Sequence, residues 1–219
     1  MKSLTKAICV LLVCIAMVAA LSACGSQTPA AEVAPPAVPG EAQAAGEAAA
    51  EEAAPAAVFD KVGEEPFYLT SVGQSADVSM VAKLLDNAGV TYSLEPTAQA
   101  TDIAPAKTII VAAGASSKGL GAAGISTEDE IKRGEEVLKA AKENGATIIA
   151  LHIGGNARRG ELSDNFTDLV FDYADYIIMT KNGDEDGKYV KFAADNGIPI
   201  TFVDGITDCV APLKAALGK

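Results

Sequence analysis

Two loops of this chain carry the residues best suited to bind or transform a small ligand. Each loop follows an apolar, β-favouring segment, and together they hold three basic side chains, two serines and the single histidine. With one glutamine from a shorter loop, the candidate ligand-binding residues are Gln74, Ser116, Ser117, Lys118, Gly119, His152, Gly154, Gly155, Arg158 and Arg159. Arginine can bind a carboxylate or phosphate through two parallel hydrogen bonds, and open backbone N–H groups favour anions. We therefore predict a site for a small anion.

The two arginines also have a structural interpretation. Acidic residues follow them closely in the sequence, at Glu161, Asp164 and Asp168. If Arg158 and Arg159 pair with these carboxylates, they only fix the loop. The sequence leaves both interpretations open.

Catalytic chemistry has weaker support. Ser117 is a candidate nucleophile and His152 a candidate base, and with Asp204 they can be drawn as a triad on neighbouring strand ends. The sequence lacks the G-x-S-x-G elbow that exposes a catalytic serine in many hydrolases. A metal site is not expected, because one histidine and no close cysteine pair offer few ligands.

No cofactor is predicted, although residues 119–124 match the dinucleotide pattern G-x-G-x-x-G. In that pattern the first glycine closes the strand and the third lies in the following helix. Here five residues separate Ala113 from Gly119, and we expect the next helix to begin only at Ser126 or Thr127. A Walker A loop is also absent, since Lys118 precedes its glycines.

An open sheet would bring these loops to one edge. Apolar runs predict strands at 67–72, 90–94, 108–113, 147–153, 176–180 and 199–203, and amphipathic spacing predicts helices at 75–89, 126–144, 186–196 and 207–217. Thr127 and Glu130 have the spacing of a capping box at the start of the second helix. Strands that are apolar throughout indicate a parallel sheet covered on both faces. We predict one α/β domain, doubly wound and Rossmann-like, with three layers and a mainly parallel sheet of five or six strands.

The N-terminal residues indicate export. Lys2 and Lys6 precede an uncharged apolar run, and Leu21-Ser22-Ala23-Cys24 has the form of a lipobox. We therefore expect a signal peptide at 1–23 and a lipidated Cys24 that anchors the protein to a bacterial membrane, on the envelope or periplasmic side. Residues 24–58, rich in Ala, Pro and Glu, are expected to form a disordered tether, and residues 59–219 to form the domain.

Composition excludes several functions. The formal net charge is −12, and no basic stripe with interleaved aromatic residues occurs, so nucleic acid is not an expected partner. Cys209 is the only cysteine within residues 59–219, which excludes a disulfide framework there.

The two loop segments, Ser116 to Gly124 and His152 to Gly160 with Leu162-Ser163-Asp164 after, resemble those of an uncharacterised bacterial family. That family is a domain of unknown function in secreted or lipid-anchored proteins. The resemblance covers about Pro66 to Leu217. It implies a single exported domain, and it implies no activity and no functional residue.

Three interpretations of function follow. The first is a lipid-anchored binding protein for a small anionic solute. The second is a hydrolase or transferase that acts on an anionic substrate at the same edge of the sheet. The third is an interaction module for another envelope protein, in which the sheet edge is plugged and the arginines are internally paired.

Overall fold

The computed structural model describes residues 61–219, so the predicted signal peptide, Cys24 and the linker lie outside the described residues. Six parallel strands form one sheet in the order β2-β1-β3-β4-β5-β6. The strands are β1 Phe67–Val72, β2 Tyr92–Leu94, β3 Thr108–Ala113, β4 Thr147–His152, β5 Tyr176–Thr180 and β6 Ile200–Val203. This confirms the predicted α/β class. Of the predicted five or six strands, the sheet has six.

Helices cover both faces of the sheet. They are α1 Asp77–Ala88, α2 Ser117–Ala123, α3 Thr127–Glu143, α4 Glu161–Tyr173, α5 Lys188–Asn196 and α6 Val210–Leu217, and short 3-10 turns span Gly155–Arg158, Lys181–Gly183 and Ile206–Cys209. One apolar layer lies between the sheet and α1 with α6, and the other between the sheet and α3, α4 and α5. Strand side chains alternate between these layers, so that Leu69 joins the first layer and Tyr68 the second. Burial on both faces explains why the central strands contain almost no charged residue.

Two helices differ from the sequence prediction. Residues 114–124, expected to be a loop, include α2, which begins after Ser116 and buries Leu120. Its two glycines lower the intrinsic helix propensity, so the sequence pattern is weak there. Helix α4 was not predicted because polar Ser163 and Thr167 occupy positions on its buried face.

The start of α3 corrects a further prediction. Ser126 is the N-cap residue, and its Oγ accepts a hydrogen bond from the Asp129 N–H over 3.0 Å. The Ser126 hydroxyl also donates to the Asp129 carboxylate over 2.9 Å. The expected box between Thr127 and Glu130 does not form, because the Glu130 side chain is fully buried beneath the sheet edge instead.

Within residues 61–219, no helix combines the length and the apolar character that crossing a bilayer requires.

Candidate functional site

The strand order reverses between β1 and β3, and the crevice at the carboxyl ends of such a strand pair is where ligands usually bind. Here the backbone fills this crevice. Gln74 and Ala115 form an antiparallel bridge across it, and the Ser116 N–H donates to the Gly73 carbonyl over 3.0 Å. Gln74 adopts a left-handed backbone conformation with φ of 54° to make this bridge. A ligand at this edge must therefore bind beside the crevice.

A buried ion pair fixes the loop that follows β1. Arg133 donates to both carboxylate oxygens of Glu130 over 2.7 Å, and Glu130 Oε1 also accepts from the Gly73 N–H over 2.9 Å. The side-chain amide of Gln74 donates to Glu130 Oε1 and to the Pro96 carbonyl, each over 3.0 Å. The amide of Gln74, predicted as a ligand contact, is thus engaged inside the protein.

Sequence reasoning did not identify this ion pair, although the sequence contains a signal for it. Glu130 and Arg133 lie on the same helical stripe as the buried residues Val137, Leu138 and Ala141 of α3. Opposite charges three residues apart on an otherwise apolar stripe indicate a buried pair, because an isolated charge there would be very costly.

Beside the crevice, a cavity of about 410 Å³ opens between the starts of α2 and α4. Its wall is formed by two segments of the chain, Ala115 to Lys118 and Ala157 to Ser163. Five predicted site residues line it, namely Ser116, Ser117, Lys118, Arg158 and Arg159. Ser163, which the sequence analysis did not select, also lines the cavity and accepts a hydrogen bond from the Ala115 N–H over 2.9 Å.

Arg158 is held by a buried carboxylate at the start of α1. Its Nε donates to Asp77 Oδ2 over 3.2 Å, and Asp77 is only 2% exposed. Gly154 lies between the two side chains, and a Cβ there would come within 2.7 Å of Asp77 Oδ2 and would overlap Arg158. Glycine at position 154 therefore permits this contact, which gives the residue a packing role.

Arg159 forms hydrogen bonds with groups from three other positions in the domain. Its guanidinium donates to Asp164 over 3.0 Å, to Asp186 over 2.7 Å and to the Gly183 carbonyl over 2.6 Å. The hydrogen bonds from Arg159 lower the pKa of Asp186 to about 2. Asp164 was among the partners that the structural interpretation predicted. For Arg159, that interpretation describes the observed contacts.

His152 does not line the cavity. The ring is fully buried, with Nδ1 3.2 Å from the Ala113 carbonyl and 3.4 Å from Thr167 Oγ1. Its Nε2 has no hydrogen-bond partner within residues 61–219. Burial lowers the pKa of His152, so the ring is neutral at neutral pH.

The structure does not assemble the triad drawn from the sequence. Ser117 lines the cavity, whereas His152 is enclosed by the core and bonds to other groups. Asp204 is exposed and forms an ion pair with Lys181 over 2.8 Å. Gly119 and Gly155 are also directed inward, since Gly119 packs against the Gln74 carbonyl and Gly155 against the Asn182 side chain. Of the three triad residues only Ser117 lines the cavity, and the candidate glycines Gly119, Gly154 and Gly155 lie apart from its wall.

Two charged side chains at the cavity have no internal partner. Within the described part of the chain, neither the ammonium group of Lys118 nor the carboxylate of Glu161 forms a hydrogen bond or an ion pair. Residues 61–219 contain no cluster of three or more side chains that could hold a metal ion.

Cys209 is buried in the core, and burial raises the pKa of its thiol to about 12.

The family described as "Domain of unknown function (DUF6305)" matches residues 64–217 of the chain. A search among proteins with curated descriptions finds no match.

Several solved structures match parts of this chain at low similarity. A GDSL-like lipase from Bacteroides thetaiotaomicron is 10% identical, with 62% of this chain and 66% of that chain covered and a TM-score of 0.28. A psychrotrophic esterase from a Pseudoalteromonas species is 9% identical, with 63% and 76% covered and a TM-score of 0.27. A GDP-L-fucose synthetase from Naegleria fowleri is 10% identical, with 66% and 50% covered and a TM-score of 0.30. The chain spans less than two thirds of the lipase and half of the synthetase, and TM-scores this low carry no functional argument.

Proposed function

The chain belongs to the DUF6305 family, and we propose that it is an exported, lipid-anchored domain that binds a small anion in the cavity between α2 and α4. Cys24 would hold the protein at a bacterial membrane, and residues 24–58 would link the anchor to the domain. The binding role is proposed for the cavity alone.

One observation carries the proposal. Side chains from two segments about forty residues apart, including Lys118 and Arg158, line one cavity at the carboxyl edge of the sheet. The cavity volume of about 410 Å³ lies in the range of small-molecule sites. Basic side chains thus line one cavity in a chain whose formal net charge is −12.

The cavity wall offers four kinds of group that attract an anion or donate hydrogen bonds to it. Lys118 supplies a charge with no internal partner, and Arg158 supplies a guanidinium that Asp77 holds in place. The first turn of α4, which begins after Gly160 and has no side-chain cap, supplies backbone N–H groups. Such groups stabilise negative charge at a helix start. The hydroxyls of Ser116 and Ser117 complete the polar wall.

The enzymatic alternative has less support from the same geometry. A serine nucleophile needs a base within hydrogen-bonding distance. The single histidine of the chain is buried and bonded to Ala113 and Thr167, away from the cavity wall. Binding without chemistry is therefore the function that these contacts favour.

Thermal unfolding of the chain from Gly25 onward tests the proposal. Small carboxylates and inorganic phosphate would be added singly, and a ligand at about 100 times its Kd should stabilise the domain by about 2.7 kcal/mol. For this size of domain, the melting temperature should rise by about 2–4 °C per kcal/mol.

Lys118→Gln should weaken the binding of such a ligand by about tenfold or more, because a charged hydrogen bond contributes about 1.5–3 kcal/mol. Lys132→Gln is the matched control, because Lys132 is exposed on α3 and does not line the cavity. If no anion raises the melting temperature, the binding proposal fails. That result would favour the interpretation as an interaction module, which agrees with the internal pairing of Arg159.

A further inference from the structure

The charges around the cavity nearly cancel, although three basic side chains line it. Arg158 is matched by the buried carboxylate of Asp77, at 3.2 Å. Arg159 is matched by Asp164 and Asp186, at 3.0 Å and 2.7 Å. Each guanidinium therefore has its formal charge offset within the protein.

Two opposite charges then remain at the cavity wall. Lys118 contributes a positive charge and Glu161 a negative charge, and neither has an internal partner within residues 61–219. A bound anion is attracted by the first and repelled by the second. Arginine and lysine are the side chains that bind phosphate and other multiply charged groups, and among the described lining residues only Lys118 carries a positive charge that no carboxylate offsets.

A single negative charge suits this arrangement better than two. One carboxylate can be offset by Lys118 and accept hydrogen bonds from Arg158, which keeps its pairing with Asp77. A second negative charge on the ligand would have no remaining cation in the wall and would lie close to Glu161. Like charges at short range repel each other.

We infer that the ligand is a small molecule bearing a single carboxylate, and that Glu161 excludes dicarboxylates and phosphate. This inference rests on the proposed binding function and adds to it the class of ligand and the residue that sets the selectivity. Glu161 is an exposed residue in the first turn of α4, so its replacement should leave the core intact.

Titration calorimetry on the chain from Gly25 onward tests the inference, with propionate, lactate and benzoate compared with succinate and inorganic phosphate. The best monocarboxylate should bind at least about tenfold more tightly than succinate or phosphate. In Glu161→Gln, succinate and phosphate should bind more tightly than they bind the wild type. The difference in affinity between them and the best monocarboxylate should then fall to about threefold or less. Glu128→Gln is the matched control, because Glu128 is also an exposed first-turn glutamate, on α3, and does not line the cavity.

The outcomes distinguish a failure of the monocarboxylate inference from a failure of the proposed anion binding. If succinate or phosphate binds the wild-type chain as tightly as any monocarboxylate, the inference is overturned and the binding proposal stands. If the selectivity is present but unchanged in Glu161→Gln, the assignment of selectivity to Glu161 is overturned. If none of the five probes binds, the proposed function itself fails.

Discussion

At the scale of residues, neighbouring side chains of the same type have different roles because their partners differ. Arg158 contacts one buried carboxylate and retains part of its guanidinium for the cavity. Arg159 contacts Asp164, Asp186 and a backbone carbonyl, and its guanidinium also lies 4.8 Å from the centre of the Tyr189 ring. Residue type suggested an anion site for both, and the contacts support such a role only for Arg158.

The buried histidine makes stability depend on pH in a specific direction. An unfolded histidine has a pKa of about 6.5, and burial lowers the pKa of His152 in the folded chain. Below pH 6.5 the unfolded chain therefore binds a proton that the folded chain does not. The free energy of unfolding should fall as the pH drops from about 7 towards the folded pKa. Urea unfolding at pH 7.5, 6.5 and 5.5 measures this slope.

His152→Asn removes the titrating group while keeping an amide donor for the Ala113 carbonyl. Its stability should vary less between pH 7.5 and 5.5 than that of the wild type, whatever the packing cost at pH 7.5. The comparison isolates the titration of His152 because the chain contains one histidine and both proteins contain the same carboxylates. Parallel pH curves for the two proteins would contradict a lowered pKa for His152.

At the scale of elements, the short helix α2 is held by close packing against the turn after β1. A Cβ on Gly119 would overlap the Gln74 carbonyl oxygen and lie 2.9 Å from its carbon, whereas a Cβ on Gly121 would meet no atom within 4 Å. We expect Gly119→Ala to lower the free energy of unfolding by about 1–3 kcal/mol, as overpacked sites do. Gly121→Ala should raise it by up to about 1 kcal/mol, because alanine favours helix.

The two alanine variants control for each other, since both add one methyl group to the same seven-residue helix. Urea unfolding of both, beside the wild type, gives the two differences directly. Equal effects would mean that α2 does not pack against Gln74 as described. If only Gly119→Ala lowers the free energy of unfolding, α2 has moved in that variant. The variant should then also bind more weakly any ligand that contacts Ser116 or Lys118.

The sheet could be predicted from sequence because its strands are continuous apolar runs. Thr108–Ala113 was predicted with the bounds that the structure has, and the rule that ligands bind at the carboxyl ends of strands selected Ser116, Lys118 and Arg158. Helices α2 and α4 were missed because glycines and buried polar residues mask their periodicity. The partners Asp77, at the start of α1, and Asp186, in the turn before α5, were missed because they are distant in sequence from the arginines and contact them only in the folded chain.

At the scale of the whole molecule, the described residues belong to one compact unit, and the family match covers most of it. Its proposed task depends on location, because a domain that captures a small solute acts where that solute arrives. The membrane location is a proposal that rests on the N-terminal sequence, in which a charged start, an apolar run and Cys24 occur in the order typical of bacterial lipoproteins.

Replacement of Cys24 tests this location. In the producing bacterium, Cys24→Ala should abolish the incorporation of labelled palmitate and move the protein from the membrane fraction to the soluble fraction. Each buried acyl CH₂ contributes about 0.8 kcal/mol, and durable anchoring needs more than one chain, so loss of the lipidated residue removes the attachment. Cys14→Ala is the matched control, because Cys14 lies in the segment that is expected to be removed. Labelling that persists in Cys24→Ala would mean that the lipobox assignment is wrong, and the domain would then need another route to the envelope.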